Sequence, residues 1–330
     1  VEPGDLPGQT DLAWASSPCQ DLSLAGRRAG LSGARSSAFW GFWRLMEALN
    51  AEGRAPRAIV VENVVGLLTS HGGADFNALS EAFASLGYRI GAVEVDASAF
   101  LPQSRPRMFA IGVRDPHPDF IAARPKAPFH SARVVAAHER LSSAAQAAWA
   151  WWRLDAPPAR NADLSSLLEA DDRVTWASAE QTRHLLSLLA PLHLAKLKAA
   201  SASGERRVAA VFRRTRTEDG RRVQRAELRF DGLAGCLRTP GGGSSRQMLL
   251  VIEGDSVRLR GLTPREGARL MGLPDSYRLP RTSTGALHLV GDGVAAPVVR
   301  HLAERLLEPH HRLPFLSWLP QGAADRYLRL

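Results

Sequence analysis

Cysteine is almost missing from this 330-residue chain: Cys19 and Cys236 are the only two. That is too few for a disulfide framework or a cysteine-rich metal site. Each thiol is therefore read singly, as core filler or as nucleophile, and the expected compartment is the cytoplasm. Lysine is nearly as scarce, with Lys126, Lys196 and Lys198 the only three among 42 basic residues. No apolar run approaches the ~18 residues a membrane helix needs, the longest candidate being 184–195. The opening VEPGDLPGQT has neither the basic nor the apolar region of a secretory signal. Internal repeats and low-complexity tracts are absent too, and 45% hydrophobic against 23% charged residues rules out wholesale disorder.

What is abundant is arginine. Forty-two basic against 33 acidic residues leave a formal charge of +9. Guanidinium groups favour planar, bidentate contacts to phosphates and guanine edges. A GC-rich coding bias raises Arg and Ala together and explains the Arg/Lys ratio equally well, but not the net excess. Without amphipathic basic helices, that excess points to nucleic acid rather than a membrane surface.

Residues 11–115 read as α/β. Short apolar strands (Leu12–Ala15, Ala58–Val61, Ile90–Val95, Met108–Val113) alternate with helical patterns over Ser37–Leu49 and Phe76–Leu86. Such alternation predicts a parallel sheet with crossover helices, in which ligands gather at the carboxyl ends of strands. From about Pro116 the pattern shifts to proline-rich joints, a Trp149/Trp151/Trp152 cluster expected in a smaller domain's core, and an arginine-loaded hairpin over 206–230. The hairpin turns at Glu218-Asp219-Gly220, an Asp-Gly signal. It suits either a solvated surface ribbon or a nucleic-acid face. After Gly293 the chain reads as helix.

Three segments carry chemistry. Pro18-Cys19-Gln20 follows the first strand, where an exposed thiolate is plausible for a thiol flanked by polar residues. Glu62-Asn63-Val64 ends the second strand, with a carboxylate able to hydrogen-bond an electrophile that a thiol attacks. Gln103-x-Arg105-x-Arg107 leads into the fourth strand, and its alternation predicts two guanidiniums on one face. Cys236 reads as buried packing, and His310-His311 as a solvated turn with no metal.

These three segments, in this order, resemble the cytosine-C5 DNA methyltransferases. So do Leu237 to Gln247 (LRTPGGGSSRQ), Leu262 to Tyr277 (LTPREGARLMGLPDSY) and Gly291-Asp292-Gly293-Val294. The resemblance implies a Rossmann-like S-adenosylmethionine-dependent α/β sheet (1–118) with a smaller inserted target-recognition domain (119–284) and a C-terminal helix returning to the sheet (285–330). It implies a flipped target cytosine attacked at C6 by Cys19, with Glu62 on its N3/N4 edge and Arg107, supported by Arg105, on the O2 side. A methyl group would pass from S-adenosyl-L-methionine to C5, with no metal. Asp5, Leu6, Pro18, Ala38 and Asp292 would line the cofactor. Gln20, Asn63, Gln103, Arg246 and Gln247 would touch the substrate, and the loop 20–36 would close over DNA. The partner implied is double-stranded DNA in the bacterial nucleoid, in a restriction–modification setting. A transfer-RNA substrate and a non-catalytic DNA-binding relative stay open as alternatives.

The chain departs from the family pattern in three places. The glycine-rich loop Phe-x-Gly-x-Gly is not in it, so a preceding segment or a second subunit is expected to supply that loop. Ala38 stands where a larger apolar residue often meets the adenine. Asp292 replaces an expected Asn, putting like charge near the cofactor's carboxylate, which weakens binding.

Overall fold

The computed structural model describes residues 2–6, 8–16, 37–157, 159–218, 220–239 and 246–309. Pro18, Cys19, Gln20, the loop 20–36 and residues 240–245 and 310–311 lie outside the described residues. By its internal contacts the chain divides into two units. One comprises 1–95, 106–156 and 300–330, and the other 96–105 and 157–299.

In the first unit a four-stranded sheet has the order β1-β2-β4-β3. Its strands are β1 (Leu12–Ser16), β2 (Ala58–Asn63), β3 (Arg89–Asp96) and β4 (Pro106–Val113), with helices α1 (Ser37–Ala51) and α2 (Ala74–Ser85) between them. All six residues of β2 are buried, as its near-continuous apolar run requires of a strand covered on both faces. Helix α1 buries Phe39, Trp43, Met46 and Leu49, a three-to-four-residue spacing that defines one face. Phe83 of α2 rests directly on β4 at Gly112, where a Cβ would come within 2.3 Å of the ring.

The sheet is mixed, which corrects the all-parallel expectation. Strands β1 and β2 are parallel, but β2 and β4 are antiparallel. The cause is the length of the link before β4. Only residues 97–105 separate it from β3, fewer than the dozen or so a parallel crossover needs. Strand β4 therefore inserts beside β2 in reverse.

The unit is completed by a two-stranded pair, β5 (Ile121–Ala122) with β6 (Trp151–Trp152), and by helices α3 (Ala132–His138) and α4 (Ser143–Ala147). The sequence suggests Trp149 and its neighbours for the smaller domain. Instead Trp149 and Trp151 join the core of α1, α2 and the sheet, and Trp152 donates from Nε1 to the Ile111 carbonyl of β4.

The second unit is built on an antiparallel sheet of order β10-β9-β7-β8. Its elements are α5 (Ala179–Ser187), α6 (Pro191–Ala202), β7 (Arg207–Glu218), β8 (Arg221–Arg229), β9 (Met248–Glu253), β10 (Ser256–Gly261), α7 (Pro264–Leu270) and α8 (Ser283–Asp292), and α9 (Ala296–Leu302) follows. The β7–β8 hairpin is where the Asp-Gly signal puts it, with Gly220 at φ +75°. Two apolar clusters cover its sheet. Leu185, Leu189 and Leu197 pack with Ala209, Val211 and Leu228 on one face. Leu164, Leu237, Leu270 and Val290 pack with Ala210 and Leu249 on the other. Among the described residues no helix is long and apolar enough to cross a membrane.

Candidate active site

The carboxyl end of β2 carries the one close acid–base pair among the expected catalytic residues. Glu62, 7% exposed, is ion-paired with Arg107, whose Nε lies 3.0 Å from Oε1. Register explains the pairing. Glu62 lies opposite Phe109, and Asn63 opposite Met108, so Arg107 is two residues along β4 on the same face as Glu62, within diagonal reach of a long side chain. Arg107 is steadied by its own Nη1, which donates to the Pro106 carbonyl at 2.9 Å. No hydrogen bond from another described residue occupies Oε2 of Glu62.

An aromatic ledge adjoins this pair. Ser16, the last residue of β1, pairs with Glu62, and Trp14 pairs with Val60. Alternation along the strands puts Trp14, Ser16, Glu62, Phe109 and Arg107 on one face. Trp14 meets Phe109 edge-on with centroids 6.0 Å apart, and its Nε1 donates to Ser16 Oγ at 3.0 Å. Cys19 follows Ser16 by three residues and lies outside the described residues, as do Pro18 and Gln20.

Asn63 is buried, and its Oδ1 accepts from the Val64 N–H at 2.8 Å. It closes the turn that ends β2. Asp5 sits exposed in a 3-10 turn (Pro3–Asp5) before β1, its Oδ2 accepting from the Glu2 N–H at 2.8 Å. Leu6 beside it packs against the first unit's core. Ala38 opens α1.

The expectation that Arg105 and Arg107 share one face is not met. Arg105 belongs to the second unit and is 3% exposed. Its guanidinium is a clamp on backbone carbonyls. Nη1 donates to Leu237 at 2.8 Å, and Nη2 donates to Gly291 at 3.0 Å and Gly293 at 2.7 Å. The reason is that β4 starts only at Pro106, so strand alternation does not extend back to Arg105. Asp96, which sequence reasoning passed over, fixes this corner: its Oδ1 accepts from Arg105 N at 2.8 Å and from Ser98 N at 3.0 Å. An Asp closing a strand and capping the turn after it was the available signal.

Gln103 has no surface with which to touch a substrate. It is fully buried, its Nε2 donates to the Leu270 carbonyl at 2.7 Å, and its Oε1 accepts from the Leu237 N–H at 3.2 Å. Gln247 is likewise occupied, accepting from Gly235 N and donating to the Val211 and Met248 carbonyls. Arg246 is exposed. Asp292, at the end of α8, is exposed and accepts from the Thr239 hydroxyl. Cys236 is half-buried rather than core, with Arg105 Nη1 3.3 Å from its Sγ. No cluster of three metal-ligating side chains exists among the described residues.

A model of the C-5 cytosine-specific DNA methylase family matches residues 1–308, and the chain belongs to that family. It is similar to the type II methyltransferase M.HaeII of Haemophilus aegyptius, 24% identical over 319 residues that make up 93% of this chain and 76% of that one. It is also similar to the orphan methyltransferase M.SPRI of Bacillus phage SPR, 37% identical over 106 residues. That match covers 32% of this chain, which spans about a quarter of the phage relative's length, 23%. Among solved structures, the S. pombe Dnmt2 methyltransferase superposes with a TM-score of 0.50 at 17% identity, over 91% of this chain and 78% of that one. The fold is thus the Rossmann-like α/β fold of the methyltransferases.

Proposed function

We propose that the chain is a DNA cytosine C5-methyltransferase acting on a cytosine flipped out of duplex DNA. The reading is carried by the Glu62–Arg107 pair held at a strand's carboxyl end beside the last residue of β1. A carboxylate and a guanidinium locked together by adjacent strands present an acceptor and a donor side by side, which matches the N3/N4 edge and the O2 of a cytosine ring. Holding both on strands fixes them before the substrate arrives, the condition under which such groups act most strongly on developing charge.

In this scheme the Cys19 thiolate forms a bond to C6. The C5–C6 double-bond electrons shift toward N3 and O2; N3 takes a proton from the Glu62 carboxyl, returned when the ring is restored, and Arg107 donates to O2. C5 thereby becomes nucleophilic. S-adenosyl-L-methionine, when bound, would supply the electrophilic methyl group to C5, the S–CH3 bond breaking with its electron pair left on sulfur as S-adenosylhomocysteine. The C5 proton then leaves to a base, the bond to Cys19 Sγ breaks with its electron pair returning to sulfur, and the C5–C6 double bond reforms. No metal is needed for any of these steps.

The described residues suit the adenosine half of the cofactor. Asp5 offers an exposed carboxylate that accepts from an exocyclic amine, and Leu6 an apolar neighbour; Pro18 and Ala38 are assigned with them. Asp292 suits the methionine end poorly, because a carboxylate there opposes another carboxylate. Arg105, Gln103 and Gln247 hold the second unit's frame, Asn63 shapes the end of β2, and Gln20 and Arg246 are assigned to the DNA side. The second unit serves as the target-recognition region, acting on nucleoid DNA in the cytoplasm.

The test is covalent trapping on duplex DNA containing 5-fluorocytosine with S-adenosylmethionine, for the chain and for Cys19→Ser. An adduct that survives denaturation and needs Cys19 supports the enzyme. Sequence-specific DNA binding without an adduct would indicate a binding-only relative, and trapping on fluorinated transfer RNA alone would change the substrate.

A further inference from the structure

The β7–β8 hairpin outruns its sheet. Strand β7 pairs with β9 only from Arg207 to Val211, whereas its pairing with β8 continues to Glu218 opposite Arg221. Phe212–Glu218 and 221–227 therefore form a two-stranded ribbon with no third strand among the described residues, seven residues or roughly 23 Å long at the usual strand rise. A two-stranded ribbon is one of the two elements that a DNA major groove admits.

The ribbon's faces differ in charge chemistry. Opposed residues share a face. One face carries Arg214 opposite Arg225, Arg216 opposite Val223 and Glu218 opposite Arg221. Three of its four arginines are tied to carboxylates: Arg214 and Arg216 to Glu227, and Arg225 to Glu218. The other face carries Arg213, Thr215 opposite Gln224, and Thr217 opposite Arg222, with no carboxylate. Among the described residues no hydrogen bond or ion pair engages the side chains of Thr215, Thr217, Arg222 or Gln224.

We propose that the ribbon enters the major groove with this second face on the base edges, and that Thr215, Thr217, Arg222 and Gln224 determine sequence preference. The carboxylate-bearing face points away, since both its glutamates and three of its arginines are already engaged with one another. The side-chain types fit the task. Glutamine pairs bidentately with adenine, arginine with guanine, and threonine serves either as a hydrogen-bonding or a methyl contact. Where the ribbon leaves the sheet, Arg213 and Arg246 border a cavity of about 300 Å³ floored by Leu185, Leu188, Met248 and Leu259. Its apolar floor and cationic rim suit the backbone and a thymine methyl at the groove's edge. This assignment rests on duplex DNA being the substrate.

The test uses the full chain on a randomised duplex library, read twice: by the sequences it retains in binding, and by the cytosines it methylates. Arg222→Ala and Gln224→Ala should each relax the preferred sequence at one position by about 5- to 150-fold. Arg216→Gln, on the other face, should leave the preferred sequence unchanged. Replacing purines at the relaxed positions by 7-deazapurines should weaken wild-type binding and leave the matching variant unaffected. A preference altered by Arg216→Gln but not by Arg222→Ala or Gln224→Ala overturns the proposal, and so does a wild-type chain that selects no sequence. A wild-type chain that selects a sequence but methylates none contradicts the enzyme reading alone, with the ribbon still judged by binding.

Discussion

Arg107 and Glu62 meet across the β2–β4 pairing, with Nε 3.0 Å from Oε1 and both side chains mostly shielded from solvent. The contact depends on β4 running antiparallel to β2, because only that register puts residue 107 diagonal to residue 62. Removing the guanidinium leaves the carboxylate without its partner and, in the proposed mechanism, the cytosine O2 without a donor. Arg107→Ala is expected to lower methyl transfer at least 100-fold, the scale set by losing a preorganised donor at developing charge. Arg107→Lys should recover less than a tenth of that loss, since a point charge does not reproduce the Nε geometry. Single-turnover methylation with circular dichroism as a folding control decides it; a lysine variant at wild-type rate would show that charge alone suffices.

Much of this site was legible in the sequence, because strand ends announce themselves. Glu62 follows Val60-Val61, and its position at the end of a buried strand needs only the apolar run to be seen. Direction was harder. The sequence shows strands separated by helices until β3, and the short link to β4 contains the one cue, its length, that turns a parallel sheet into a mixed one. Arg105 was misplaced for a related reason. Period-two reasoning assumes the strand has begun, and the strand begins one residue later. The partners of Gln103 lie 134 and more positions away, and no local pattern reveals contacts so distant.

The Arg105 clamp gives a stability prediction. Its three carbonyl acceptors, Leu237, Gly291 and Gly293, lie in loops and a helix end distant in sequence from residue 105. Arg105→Ala leaves buried acceptors unmatched at about 1–3 kcal/mol each, so unfolding in urea should show a loss of at least about 3 kcal/mol. Gly291→Ala should act on the same corner, because its Cβ would lie 2.5 Å from Thr239 N and 2.7 Å from the Arg238 carbonyl carbon. If the two losses add fully in the double variant, the residues act independently and the clamp is not one unit.

Arg260 and Glu266 form the most deeply buried ion pair among the described residues, at 1% and 0% exposure, with both guanidinium Nη atoms on the carboxylate at 2.8 and 2.7 Å. Glu266 also accepts from the Thr263 and Glu169 N–H groups, making it the cap of α7 as well as the counter-ion. Glu266→Gln leaves Arg260 charged and uncompensated, at an expected cost of about 3–5 kcal/mol. Adding Arg260→Met should restore part of the loss, because the buried charge is gone while the glutamine carbonyl still accepts from one of the two N–H groups. Denaturant midpoints of the single and double variants measure this; a double variant less stable than Glu266→Gln would mean that Arg260 contributes packing beyond its charge.

His130 makes the first unit acid-sensitive. Its Nδ1 accepts from the Lys126 N–H at 2.9 Å, which places the ring hydrogen on Nε2, and Nε2 is buried without a hydrogen-bond partner. Burial pushes the imidazole pKa down to about 4 from 6.5. Protonating Nδ1 would also set a donor against the Lys126 donor. Above pH 6.5 the ring is neutral in both folded and unfolded chains and costs nothing. As pH falls from 6.5 toward 4, the unfolded chain takes up a proton that the folded chain refuses, so stability drops throughout that window and levels off below it. A shift of this size corresponds to about 3 kcal/mol in all. His130→Asn retains an acceptor for Lys126 without a titrating ring. The difference in unfolding free energy between the two proteins should therefore move in favour of the asparagine variant as pH is lowered from 7 to 4. A difference that stays constant over that range would mean the ring is protonated equally well in the folded chain.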